Sequence, residues 1–180
     1  FKKNLSVSKK EFIETHSLEV GKPIISLIPG SRKQEIEKKL PVMLKAVSRY
    51  YKDFNIVIAG MKNFKDLYGE ISFNSKAKVI YNDTYNLLNN SNRALVTSGT
   101  ATLETAFFNV PQVVVYKTSW VSYLIAKTLV KIKYISLVNL IMNKEVVKEL
   151  IQNNLSVLRL TNELIKFDDS LPLNKIQKDY

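Results

Sequence analysis

Five short apolar runs, each followed by a stretch of helical character, constrain this chain more than any other feature of its 180 residues. Ile24-Ile25-Ser26-Leu27-Ile28, Asn55-Ile56-Val57-Ile58-Ala59, Lys78-Val79-Ile80-Tyr81, Ala94-Leu95-Val96 and Gln112-Val113-Val114-Val115-Tyr116 read as strands. The first is a continuous apolar run, as expected of a strand buried on both faces. Between the strands, Ile36, Leu40, Met43, Leu44 and Val47 recur at helical spacing. Phe64 to Ile71 reads as a short helix and Thr84 to Asn90 as another, capped by Asp83. Thr100 to Phe108 reads as a third, which Asn109 ends in a left-handed cap. Strands alternating with helices imply a parallel sheet covered on both faces. The fold class is therefore α/β, a Rossmann-like three-layer domain.

The rest of the chain is punctuated less clearly. Ser8 to Thr15 reads as a helix with capping-box spacing between Ser8 and Glu11, and Gly21-Lys22-Pro23 closes this lead-in. Ser31 and Gln34 repeat that spacing ahead of the second helix, which Pro41 breaks or kinks before it runs on to about Tyr51. Ser119 to Val130 reads as a helix, Ser136-Leu137-Val138 as a short extended piece and Lys144 to Gln152 as a helix. Ser156 to Leu160 fits a strand or a helix equally. The domain plan is a lead-in over 1–20, a Rossmann-like domain over 21–160 and a tail over 161–180, whose last ten residues are polar.

Composition removes several classes of chemistry. There is no cysteine, and the single His16 lies in a polar stretch far from every motif. Disulfides, cysteine-ligated metals and a histidine metal cluster are excluded, and no Ser-His-Asp arrangement can form. The net charge is +11, from 27 basic and 16 acidic residues. Nucleic acid, an anionic membrane surface, a phosphorylated substrate or simply a lysine-rich solvated surface would each account for it. The scatter of the lysines favours the last. No signal-peptide pattern opens the chain at Phe1-Lys2-Lys3-Asn4, and the lack of an initiating Met reads as a fragment. Val110 to Met142 is apolar but interrupted by Lys117, Lys127, Lys131 and Lys133, short of the roughly 18 uninterrupted residues of a spanning helix.

Two turns carry the site expectations. Pro29-Gly30-Ser31-Arg32 ends the first strand, where Gly30 permits close backbone approach, Ser31 caps or bonds a phosphate and Arg32 clamps one. Ser98-Gly99-Thr100-Ala101-Thr102-Leu103-Glu104 joins a strand to a helix, and such a turn presents backbone N–H groups to an anion. Neither is a Walker loop or a Gly-x-Gly-x-x-Gly fingerprint. A third region, Tyr116 to Trp120 and the helix after it, combines Trp120, Tyr123 and Leu124 with Lys117, Lys127, Lys131 and Lys133. It fits a membrane-surface patch, or a core helix with snorkelling lysines. Asn139, with Glu149 and Gln152 beyond it, fits either a cleft lining or a satisfied turn.

Taken in order, the motifs resemble those of the lipid-A-disaccharide synthase family. Ile28-Pro29-Gly30-Ser31-Arg32 with Glu35-Ile36 resembles its "LPGSR-x-x-EI" motif, and Ser98 to Glu104 matches its "SGTATLE" signature. Pro111 to Lys117 is similar to its "P-x-VV-x-YK" strand, Tyr134 to Asn139 to its "YISLPN" and Glu149 to Gln152 to its "ELIQ". The order and spacing agree over about Pro23 to Asn154. Val138 and Lys148 stand where the family commonly has proline.

The resemblance implies one half of a GT-B glycosyltransferase, the C-terminal, UDP-sugar-binding half. The implied hexosyltransferase moves 2,3-diacylglucosamine from its UDP derivative to 2,3-diacylglucosamine 1-phosphate, making the β-1,6 disaccharide of lipid A and releasing UDP. It implies UDP contacts at Gly30, Ser31, Arg32, Ser98, Gly99, Thr100, Thr102, Glu104, Tyr116 and Asn139, with Glu104 on the ribose hydroxyls and Asn139 near the uracil or diphosphate. It implies no metal, no cofactor and no nucleic-acid partner. The general base would lie in an N-terminal half, leaving this fragment alone inactive. The setting implied is cytoplasmic, peripheral to the inner face of a Gram-negative inner membrane, with a homodimer as a further partner. Two alternatives stand beside it. One is another GT-B UDP-sugar enzyme, either a peptidoglycan glucosaminyltransferase or a UDP-sugar epimerase. The other is a non-catalytic basic α/β binding module.

Overall fold

A computed structural model describes residues 7–118 and 133–169. Six strands form one parallel sheet: β1 (Ile24–Ile28), β2 (Asn55–Gly60), β3 (Lys78–Tyr81), β4 (Arg93–Thr97), β5 (Gln112–Tyr116) and β6 (Lys148–Ile151). Their order across the sheet is β3-β2-β1-β4-β5-β6, the doubly wound Rossmann order. Every neighbouring pair is parallel, with Leu27 of β1 facing both Ile58 of β2 and Leu95 of β4. The helices are α1 (Lys9–Thr15), α2 (Lys33–Tyr50), α3 (Lys65–Ser72), α4 (Thr84–Asn90), α5 (Thr100–Phe107), α6 (Leu137–Met142) and α7 (Val157–Asp169). None in the described residues is long and apolar enough to cross a membrane.

The side-chain alternation of β1 divides the core into two layers. Ile25 and Leu27 pack with Ile36, Leu40 and Met43 of α2 and with Leu160 and Leu164 of α7. Ile24 and Ile28 pack on the other face with Phe12 of α1 and Leu87 and Leu88 of α4. The lead-in helix thus shares the core of the sheet. Ser8 caps it by accepting from the Glu11 amide at 3.2 Å, as its spacing predicts. At the far end α7 continues past residue 160, and the Tyr51 hydroxyl donates to the Leu164 carbonyl at 3.1 Å.

Several local expectations are corrected. Pro41 does not interrupt α2, which runs unbroken for 18 residues. The cap of α2 is not Ser31 with Gln34: Arg32 is the N-cap residue, and Glu35 supplies the capping carboxylate. Asp83 is the N-cap residue of α4 but makes no side-chain capping bond, because its carboxylate lies 3.1 Å from His16 Nε2 and accepts from the Asn86 side-chain amide at 2.7 Å. Residues 137–142 are helical rather than extended, with Ser136 accepting from the Asn139 amide as N-cap. Lys144 to Gln152 is not a helix but contains β6, and the ambiguous stretch from Ser156 opens α7. The helix expected over Ser119 to Val130, with Trp120, Tyr123, Leu124 and Lys127, lies outside the described residues.

Candidate functional site

The strand order reverses between β1 and β4, and open α/β sheets bind ligands outside the strand carboxyl ends at such a point. Both predicted turns open there. The Thr97 hydroxyl donates to the Pro29 carbonyl at 2.8 Å and ties one turn to the other. A cavity of about 360 Å³ lies across them. Gly30, Ser31 and Arg32 line it from the first turn; Ser98, Gly99 and Thr100 line it from the second, with Glu104 one helical turn on. A second lobe of about 570 Å³ adjoins it, sharing Arg32, Glu35 and Ser98 and adding Lys38, Tyr116 and Lys117. Eight of the ten expected residues therefore line one two-lobed cleft.

The two helix starts facing this cleft differ. Gly99 has φ +148° and ψ −162°, a conformation reserved for glycine, and open space lies where a Cβ would stand. No side chain caps α5; the Thr102 amide bonds the Gly99 carbonyl at 3.2 Å, and the Thr100 and Ala101 amides are left to the cleft. At α2 the Glu35 carboxylate accepts from the Ser31 and Arg32 amides through Oε2, at 3.2 and 3.4 Å. Gly30, at φ +112°, has no room for a Cβ because Glu35 Oε2 fills it. Glu104 is half-buried on the cleft wall, and its carboxylate has no hydrogen-bond partner or ion pair among the described residues. A carboxylate in that state is available to vicinal hydroxyls.

Two expected residues are elsewhere. Thr102 is fully buried, and its hydroxyl donates back to the Gly99 carbonyl at 2.8 Å, so it shapes the turn from behind. Asn139 is also fully buried. Its amide nitrogen donates to the Val147 carbonyl and to Glu149 Oε1, both at 2.8 Å, and its oxygen accepts from the Val146 and Val147 amides. With every site spent, Asn139 has nothing to offer a ligand. Glu149 also accepts from the Ile135 amide at 2.8 Å and from the Ser136 amide at 2.9 Å. The Ile135 carbonyl in turn accepts from the Ser98 hydroxyl at 2.8 Å. Asn139 and Glu149 therefore brace the segment that backs the second turn, and Gln152 accepts from the Thr118 amide beside it.

Sequence alone assigned no role to Thr97, Glu35 or Lys39. Glu35 stands three residues after the true N-cap, a capping-box position, but Ser31 drew the pattern one residue early. Lys39 is 1% exposed and 3.6 Å from Glu35 Oε1. Burial pushes its pKa down to about 8, partly offset by the Glu35 charge. A separate cavity of about 340 Å³, between Tyr51, Phe54 and Lys78, lies toward the amino ends of β2 and β3, away from the switch point.

Comparison with known proteins decides what kind of chain this is. A model of the family described as lipid-A-disaccharide synthetase matches residues 3–180. The chain belongs to the lipid-A-disaccharide synthase family. It is 35% identical over 168 residues to the synthase of Solibacter usitatus, covering 89% of this chain and 43% of that one. With the synthase of Persephonella marina it shares 36% over 155 residues, 81% of this chain and 41% of that one. The chain thus spans under half the length of these relatives of the family. Among solved structures, an E. coli ADP-heptose LPS heptosyltransferase II matches at TM-score 0.62 and 13% identity, over 91% of this chain and 52% of that one. A UDP-GlcNAc 2-epimerase from Neisseria meningitidis matches at TM-score 0.59 and 14% identity, over 95% and 42%. These likenesses establish the Rossmann-like α/β fold of one GT-B half. Membership of the synthase family disfavours both alternatives.

Proposed function

We propose that this chain is the UDP-sugar-binding half of a lipid-A-disaccharide synthase. The whole enzyme transfers 2,3-diacylglucosamine from UDP to 2,3-diacylglucosamine 1-phosphate, with UDP leaving. The observation that carries this reading is the cleft at the β1–β4 switch point, where an uncapped helix start, Arg32 and an unspent Glu104 carboxylate face one cavity in a chain of this family.

Breaking the sugar–phosphate bond leaves negative charge on the diphosphate. The N-terminus of α5 offers amides and the positive end of a helix dipole to that charge, and Arg32 offers a guanidinium. Glu104 accepts hydrogen bonds from the ribose hydroxyls, fixing the nucleotide along the cleft. The general base comes from an N-terminal half, so this chain binds UDP without catalysing transfer. The excess of positive charge suits a protein that collects acylated, phosphorylated substrates at an anionic membrane surface.

Titration with UDP tests the reading. Saturable UDP binding that falls at least tenfold in Glu104→Ala, with no comparable binding of single-stranded DNA, is expected; a variant that binds UDP like the wild type sinks it. The membrane reading predicts co-sedimentation with vesicles containing anionic lipid and not with neutral ones. Equal partition into both contradicts it.

A further inference from the structure

Lys39 is the least expected residue of α2. It is among the largest fully buried side chains, sits in an amphipathic helix whose other inward residues are apolar, and has lost its hydration. A buried lysine carries a desolvation cost that one ion pair seldom offsets, and an apolar side chain of similar volume would often serve stability better. Its partner is Glu35 Oε1, at 3.6 Å. The other oxygen of the same carboxylate accepts from the Ser31 and Arg32 amides. The glutamate is thus held at three points, and Gly30 is folded around it, with Oε2 where a Cβ would stand. Ser31 and Arg32 are themselves exposed, and Glu35 is the side chain that holds both of their amides.

Glu35 holds the loop ahead of α2 on the cleft side. Its carboxylate takes the Ser31 and Arg32 amides just ahead of α2, whereas α5 has no side-chain cap. A diphosphate in this cleft is met by α5 and by the Arg32 side chain, whose direction depends on a loop that Glu35 pins. We propose that Lys39 and Glu35 are a positioning pair that fixes the Gly30–Arg32 loop, and with it Arg32, for a nucleoside diphosphate. The inference rests on the proposed UDP site. Lys39 touches no ligand; it acts through Glu35, and Glu35 acts through the loop.

The test uses Lys39→Met and Glu35→Gln in this full chain, with UDP as the probe and thermal unfolding at pH 7 measured in parallel. Methionine removes the buried charge, and glutamine keeps the shape of Glu35 while losing its attraction for Lys39. Both variants are expected to bind UDP about tenfold more weakly, and the double variant no more weakly than either single one. Lys39→Met is expected to unfold at the same temperature as the wild type or higher, which a residue kept only for the fold would not do. A change below threefold in Glu35→Gln overturns the proposal, as does a folded Lys39→Met with wild-type affinity or with an unfolding temperature clearly lowered. If Lys39→Met does not fold, Glu35→Gln decides alone. Wild-type chain that does not bind UDP removes the proposed function and this inference with it. Wild-type binding lost in Glu104→Ala but kept in both pair variants removes only the inference.

Discussion

At Gly30 the backbone holds φ +112° so that a side chain from the following helix can lie against it. Alanine there strains the backbone and expels Glu35 from its place. Gly30→Ala is expected to cost about 1–2 kcal/mol of stability and to weaken UDP binding, readable in one chemical-denaturation series and one titration. Lys39 makes a prediction in pH. Its folded pKa, about 8, lies below the ordinary 10.5. Between those values the unfolded chain holds a proton that the folded chain has released, so stability rises with pH. The destabilisation is fully present below pH 8 and fades toward pH 10, a gain of about 2 kcal/mol from this residue. Lys39→Met is expected to flatten that rise, and an unchanged slope between pH 8 and 10 in the variant would count against a charged buried lysine.

Among the elements, β6 and α6 show where sequence reading reaches its end. The inner strands were legible because burial on both faces leaves a plain apolar run, as in β1, where all five residues are buried. The edge strand β6 is half exposed, and Val146, Val147, Leu150 and Ile151 have a spacing that a helix would also satisfy. Asn139 looked like a ligand contact for a related reason: a polar residue in an apolar setting does not announce whether its partners are ligand or backbone. Both turns of the site were legible because glycine at a strand-to-helix junction has few other uses. The pinning of one turn by Glu35 and Lys39 was not, since a helical i, i+4 pair reads as a solvated surface pair until its burial is known. The buried amide network predicts that Asn139→Ala costs about 1–3 kcal/mol, because it leaves the buried Val147 amide without its acceptor and takes one donor from Glu149. UDP affinity at saturating folded protein is expected to fall far less than in Glu104→Ala. The reverse ranking would return Asn139 to the ligand.

The whole molecule is one half of a two-part machine in the proposed reading. Mixing it with a separately made N-terminal half is expected to restore transfer that neither piece shows alone, and transfer by this chain alone would contradict the division of labour. The hydrogen bond from Thr97 to the Pro29 carbonyl bears on how such a machine closes. It links the ends of adjacent strands, so the two turns of the cleft travel together with the sheet. This half then behaves as an anvil. In the proposed reading, closure over a bound nucleotide falls to the opposing half, while the Thr97–Pro29 bond keeps these two turns in register with each other.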